Sequence, residues 1–213
     1  MRVDRDNVFE LENALLSLNR VAAGNIVKKE FTGDNAFELI QELIAPTLEK
    51  IGAMWASGEI ALSQEYMASK ICEEIMESIL PAESPDRKDM PIIGITTLGD
   101  EHMLGKRIVS SFLKANGFNM HDYGDMGPEK VARKVKEDGI EVLMVSTLML
   151  NLALNIKNLR YIFDREGIKA KIIVGGAPFL FDRQLWKEVG ADAMAVDATE
   201  SVSKIYNVLG LSQ

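Results

Sequence analysis

From residue 91 onward, short apolar runs of strand length alternate with amphipathic segments of helix length, and few folds accept that rhythm. The apolar runs are Ile92–Ile95, Val142–Val145, Ile172–Val174 and Ala193–Val196, with the less apolar Asn119–Tyr123 as a fifth strand nearer an edge. Helical periodicity covers 105–116, 128–138, 153–166, 181–189 and 198–208. Strands joined through helices return parallel, because right-handed crossovers lay each helix back over the sheet. Runs that are apolar throughout are those buried on both faces. The pattern therefore predicts an α/β domain with a doubly wound, five-stranded parallel sheet, whose ligands bind beyond the carboxyl ends of the strands.

The first 80 residues have a different texture. Val8, Leu11, Leu15, Leu18 and Ala22 form the apolar stripe of one helix ending near Gly24. Asp34 and Asn35 can cap a second helix through Leu43, Pro46 opens a third that runs to Gly58, and Ser63 can cap a fourth that buries Met67, Ile71, Ile75 and Ile79 and stops at Pro81. Four helices with short joints predict a small all-α bundle. The expected organisation is thus a helical domain over 1–81, a linker over 82–90 (AESPDRKDM) and the α/β domain over 91–213.

Charge follows the same division. Residues 1–90 hold 9 basic and 17 acidic side chains of the chain's 24 and 32, which leaves 15 of each sign for the remainder. An acidic first part and a neutral second part without basic blocks argue against nucleic acid as a partner. The single cysteine, Cys72, cannot form an internal disulfide and sits among apolar helix positions, where packing is the simpler reading than redox chemistry. With it, only His102 and His121 could serve as soft ligands, too few and badly spaced for a structural zinc site. No apolar run approaches the ~20 residues of a membrane span, so no membrane partner and a cytoplasmic location are expected. Phosphate loops of the GxGxxG or Walker type are absent, and the eleven methionines read as core filler.

Chemistry concentrates after the first strand, in ITTLGDEHMLGKRIV. There Asp100, His102 and Gly105 form a DxHxxG pattern at a carboxyl strand end. An imidazole in that position can ligate a metal, and Asp100 is near enough to bond the other ring nitrogen and fix the tautomer. Taken alone, the same residues also describe a surface histidine beside a helix-capping aspartate. Ser146 ends the third strand and Gly175 with Gly176 ends the fourth; Ser146 could bond Asp100 and extend a relay, while the glycines could clear a channel. Each is equally readable as a strand terminator or a turn.

In order, GDEHMLGKRIV, VSTLML, IIVGGAP and GADAMAVDA resemble the cobalamin-binding domain of methionine synthase, corrinoid methyl carriers, B12-dependent mutases and cobalamin-based light sensors. The resemblance spans about 91–208 and implies a flavodoxin-like (Rossmann-like) fold that binds cobalamin, as methylcobalamin or another corrinoid, with its own base displaced. His102 would then be the lower cobalt ligand, tuned by Asp100 and Ser146, with Glu101, Met103 and Gly105 completing its loop. The nucleotide tail would pass Ser146, Leu148, Gly175 and Gly176. Leu150, Asn151 and Leu152 stand where methyl carriers often have threonines, a departure affecting polar contacts to that tail. The helical run IGAMWASGEIALSQEYMAS resembles the cap over the upper corrin face, with Trp55 against the ring and Met54 and Met67 nearby; by spacing alone Trp55 is as readily a bundle core residue. Light sensors have Glu-His ten residues after the tryptophan, whereas this chain has Glu65 and Tyr66.

The function so implied is a corrinoid carrier subunit of a methyltransferase system rather than an enzyme on its own. It would pass a methyl group from a substrate-specific methyltransferase to a second one with tetrahydrofolate or a similar acceptor, and a reductive activator would be a further partner. The alternative is a non-catalytic cobalamin-dependent sensor or B12 reservoir. A small mutase subunit ranks third, because mutases pair this domain with a barrel.

Overall fold

Two units make up the chain, residues 1–82 and 83–213. The computed structural model describes residues 5–80, 90–100 and 102–211. Of the expected linker only Met90 is among them, and Glu101 lies outside the described residues.

In the first unit, the stripe read as one opening helix belongs to two, α1 (Arg5–Leu16) and α2 (Arg20–Glu30). Leu18 adopts a left-handed backbone (φ +56°), and the Asn19 side chain accepts from Ala22 N at 3.0 Å, capping α2. Asparagine is among the strongest N-caps, whereas a single mid-helix glycine costs only about 1 kcal/mol. The break therefore falls at Leu18–Asn19, and Gly24 stays inside α2.

The helices expected on either side of Pro46 fuse instead. From α3 (Ala36–Leu39) the chain passes through a π turn, Ile40–Ile44, into α4 (Ala45–Ala56) without leaving helical dihedrals. Ala45 N donates to Ile40 O across the widened turn. Proline lacks the N–H of a normal helical bond and its ring crowds the carbonyl four residues back, so a wider turn just before Pro46 relieves both. Helix α5 (Leu62–Ile79) follows. Its start is held by the Gln64 side chain, which accepts from Ala61 N at 3.1 Å, rather than by Ser63. Leu11, Leu15, Leu39, Leu43, Ile51, Ile71 and Met76 fill the unit's interior.

The second unit is a parallel sheet of β1 (Ile92–Thr96), β2 (Asn119–Asp122), β3 (Val142–Ser146), β4 (Lys171–Gly175) and β5 (Ala193–Met194). The order is β2-β1-β3-β4-β5, which puts the least apolar strand at an edge as expected. Between the strands run α6 (Leu104–Ala115), α7 (Pro128–Glu137), the single turn α8 (Leu150–Ala153) with α9 (Ile156–Glu166), and the short α10 (Ala177–Phe181) and α11 (Leu185–Glu188); α12 (Ala198–Leu209) closes the chain. Alternate strand residues feed two cores. Leu143, Val145, Ile172 and Val174 pack with Val131, Val135, Leu159 and Phe163 of α7 and α9, while Ile93, Ile95, Val142 and Ile173 pack with Leu113 and Ile205 of α6 and α12. Among the described residues no helix is long and apolar enough to cross a membrane.

Cys72 is buried in α5, and burial, reinforced by the charge of Glu73, pushes its thiol up from 9.0 to about 12. The stability lent by this neutral thiol is complete below the ordinary thiol range and is withdrawn as pH rises from about 9 towards 12. At mildly alkaline pH its thiolate fraction is therefore far below that of a free thiol. Labelling by a chromogenic disulfide is therefore expected to be slow in the native chain and fast after denaturation. Comparable rates in both states would show that the thiol is not shielded.

Candidate cofactor-binding site

Strand β1 lies beside β3, yet the chain leaves β1 towards α6 on one face and leaves β3 towards α9 on the other. This reversal opens a crevice beyond the carboxyl ends of the two strands, where doubly wound sheets bind ligands. The loop after β1 carries Asp100 and His102 into it. The Asp100 side chain is 1% exposed and that of His102 26%.

Asp100 is satisfied from both sides. Its Oδ1 accepts from the His102 backbone N at 3.0 Å and lies 2.6 Å from His102 Nδ1. Its Oδ2 accepts from Leu148 N at 2.7 Å and Met149 N at 3.4 Å, in the loop after β3. Burial alone would raise the carboxyl pKa, but the bonds from the His102 ring, the Leu148 amide and the His102 amide outweigh it and hold Asp100 below the ordinary aspartate value. A ring that donates its Nδ1 proton to a carboxylate is the tautomer in which Nε2 presents its lone pair, the form in which histidine ligates metals.

Ser146 does not complete the expected relay. The described partners of Asp100 are the His102 ring and three backbone amides, because the chain beyond Ser146 turns its N–H groups, not the serine hydroxyl, towards the carboxylate. Ser146 instead faces the start of α6, where a methyl group on Gly105 would come within 3.1 Å of its Oγ. Met103 precedes α6, with its sulfur 4.0 Å from the Thr97 hydroxyl. The glycine pair has a structural reason of its own. Gly176 has φ +115°, and a Cβ there would lie 1.8 Å from the Thr147 carbonyl oxygen; at Gly175 the nearest atom would be Ala195 O at 3.2 Å.

In the first unit Trp55 is half-buried near the end of α4 and Glu65 is 7% exposed. Glu65 Oε1 accepts from the Ser69 hydroxyl at 3.1 Å, and Oε2 has no hydrogen-bond partner among the described residues. Met54 and Met67 are half-buried. His121, on the edge strand, has its Nδ1 3.5 Å from Oδ2 of Asp138 at the end of α7.

Reasoning from motifs passed over Asp125. Its Oδ1 accepts from the Thr97 hydroxyl at 3.1 Å and from Gly99 N, both in the loop that carries His102. The only signal was a second aspartate in DYGDMGP after the edge strand, a pattern that reads as an ordinary turn. Also unforeseen was the buried Lys106 of α6, which pairs with Asp122 at the end of β2.

A flavodoxin-like sheet with a carboxylate-oriented imidazole at its switch point defines a cofactor-binding domain. The B12 binding domain family model matches residues 90–205, and a second B12 binding domain model matches 9–80. Dimethylamine corrinoid protein 1 of Methanosarcina mazei is 30% identical over 94% of this chain and 94% of that protein. The solved Methanosarcina barkeri monomethylamine corrinoid protein superimposes with a TM-score of 0.83 at 28% identity, over 96% of this chain and all of that one. A likeness of fold extends to the methanol:cobalamin methyltransferase complex MtaBC of Methanosarcina barkeri, with a TM-score of 0.53 at 19% identity, covering 99% of this chain and 83% of that chain. The chain belongs to the B12-binding domain family, as a corrinoid protein with a helical N-terminal region.

The residues present suit such a cofactor. Beside the oriented imidazole, the segments that follow β3, β4 and β5 expose Leu148, Leu150 of α8, Leu180 and Phe181 (90% exposed) of α10, and Val196, apolar surface that a broad macrocycle can cover. The buried Thr147 hydroxyl has no partner among the described residues, so a polar group reaching these strand ends would satisfy it.

Gly176→Ala is expected to destabilise the protein by roughly 3 kcal/mol or more, since strand-end backbone must move. Gly175→Ala should cost roughly 1 kcal/mol, the relief needed being a few tenths of an ångström. Urea melts of the two variants test this; equal midpoints would contradict it.

Proposed function

We propose that this protein carries a methyl group on cobalt between partner methyltransferases, with cobalamin bound base-off and His102 as its lower ligand. The observation that carries the reading is the 2.6 Å pairing of His102 Nδ1 with buried Asp100 at the β1/β3 switch point. Bound cobalamin supplies a cobalt centre able to take up a methyl group and give it away. The protein's own part is to bind, orient and shield. His102 Nε2 would be the ligating atom, with Asp100 fixing its tautomer and raising its basicity. Ser146, Leu148, Gly175 and Gly176 border the path of the nucleotide tail. In the helical unit Trp55, Met54 and Met67 are the apolar residues that would shield the upper face, and the Glu65 oxygen without a partner among the described residues is a polar group the cofactor could engage.

A substrate-specific methyltransferase and a second methyltransferase, with tetrahydrofolate or a similar acceptor, are the partners in this reading, with a reductive activator as a further one. Support comes from the names of its relatives, methylamine corrinoid proteins, and from a fold neighbour that is part of a methanol:cobalamin methyltransferase complex.

Electron paramagnetic resonance of the cob(II)alamin form tests the ligand, because one axial nitrogen splits the cobalt signal by its own hyperfine interaction. His102→Ala is expected to abolish that splitting and to leave at most weak cofactor binding. Splitting that survives in His102→Ala with the cofactor still base-off refutes the assignment. Asp100→Asn should weaken cobalamin binding about ten- to a hundredfold while the protein stays folded. For the carrier role, methyl transfer between the loaded protein and cognate methyltransferases is the measurement. A light-triggered change of oligomeric state with no transfer would favour the sensor reading.

A further inference from the structure

The loop that presents Asp100 and His102 contains two consecutive residues with left-handed backbone, Leu98 (φ +50°) and Gly99 (φ +93°). A non-glycine residue in that region is disfavoured and persists only where its surroundings hold it. Leu98 is held through its side chain, which is buried in the core shared with α7 and α9. The peptide that follows is held from the β2 flank of the loop. Gly99 N donates to Asp125 Oδ1, and the Thr97 hydroxyl donates to the same oxygen at 3.1 Å.

We propose that Asp125 is a positioning residue for the cobalt ligand, its carboxylate locking the Leu98–Gly99 step from which Asp100 and His102 project. The obvious alternative for an aspartate just before a helix is to cap it. Asp125, however, precedes the N-cap Gly127 of α7 by two residues, and its described bonds go to the β1 loop. The segment bearing Asp125 is itself braced. Gly124 O accepts from Thr97 N at 3.2 Å and from the Thr96 hydroxyl at 3.1 Å, while Gly124 N donates at 2.8 Å to Asp122, the partner of buried Lys106. Lys106 stands in α6, just beyond His102 in the chain. The loop is thus tied to β3 through Asp100 and to β2 through Asp125, and two ties on opposite flanks fix a direction that one tie leaves free to pivot.

The inference rests on the reading of His102 as the cobalt ligand, so the test has one arm that needs no cofactor. In the apoprotein, Asp125→Ala is expected to raise the hydrogen-exchange rate of the Gly99 amide, followed by NMR, on the order of five- to tenfold. In the loaded protein the same variant should weaken cobalamin binding on the order of tenfold and broaden or shift the axial-nitrogen splitting of the cob(II)alamin signal. Asp125→Asn keeps an acceptor oxygen in place and should lie closer to wild type than to Asp125→Ala in every readout, a rescue that separates the hydrogen bond from general loss of structure. Unchanged Gly99 exchange in Asp125→Ala overturns the lock. Faster exchange with unaltered affinity and splitting shows a lock that does not serve the ligand and likewise overturns the proposal. If His102→Ala instead keeps the splitting, it is the ligand assignment that fails, while the apoprotein arm still decides whether Asp125 holds the Gly99 step.

Discussion

A single carboxylate ties the functional edge of this protein together. Asp100 is withdrawn from water, and it takes two donors from its own loop and two from the loop after β3. Burying an ionised carboxylate is strongly unfavourable unless its oxygens are bonded, and here both are. That requirement works in two directions. It compels the β1 and β3 loops to meet, and it orients the imidazole that shares the carboxylate. The pKa of Asp100, low despite burial, expresses the same balance: bonds to the charged form outweigh desolvation.

The meeting of those loops is possible only because β1 and β3 are neighbours although β2 separates them in the chain. Beyond them, the end of β4 closes against the end of β3 so tightly that Gly176 sits in a backbone conformation suited to glycine, against the Thr147 carbonyl. Bare backbone at these strand ends therefore serves the sheet first. Apolar side chains are exposed beyond these strand ends, Leu150 and Phe181 among them, as they are elsewhere in the unit at Tyr161 and Leu211.

In the helical unit, local signals competed and the stronger local chemistry prevailed over periodicity. The apolar stripe suggested an unbroken opening helix, but Asn19 offered a cap and Leu18 an exit. Pro46 suggested a new helix, but apolar residues on both sides of it, Leu43, Ile44 and Ile51, all had to reach one interior. A π turn lets the chain keep that face while sparing the proline. At Pro46, unlike at Asn19, burial of one apolar face outweighed the local signal.

Much was legible in the sequence by itself. Strand and helix alternation determined the class of the second unit, since continuous apolar runs have no stable home except a sheet covered on both faces. The low apolar content of Asn119–Tyr123 marked it for the edge position that β2 occupies. The Asp100–His102 pair was also readable, because two residues of separation hold carboxylate and imidazole together whatever the rest of the chain does. Contacts across the sheet could not be read so. Asp100 bonds amides 48 and 49 residues away rather than the Ser146 hydroxyl, and backbone amides carry no residue identity from which to foresee them. Asp125 reaches Gly99 across 26 residues, and nothing in an aspartate before a turn says which N–H it will meet. Those partners were chosen by strand order and by the path of each loop, which depend on how the whole sheet packs.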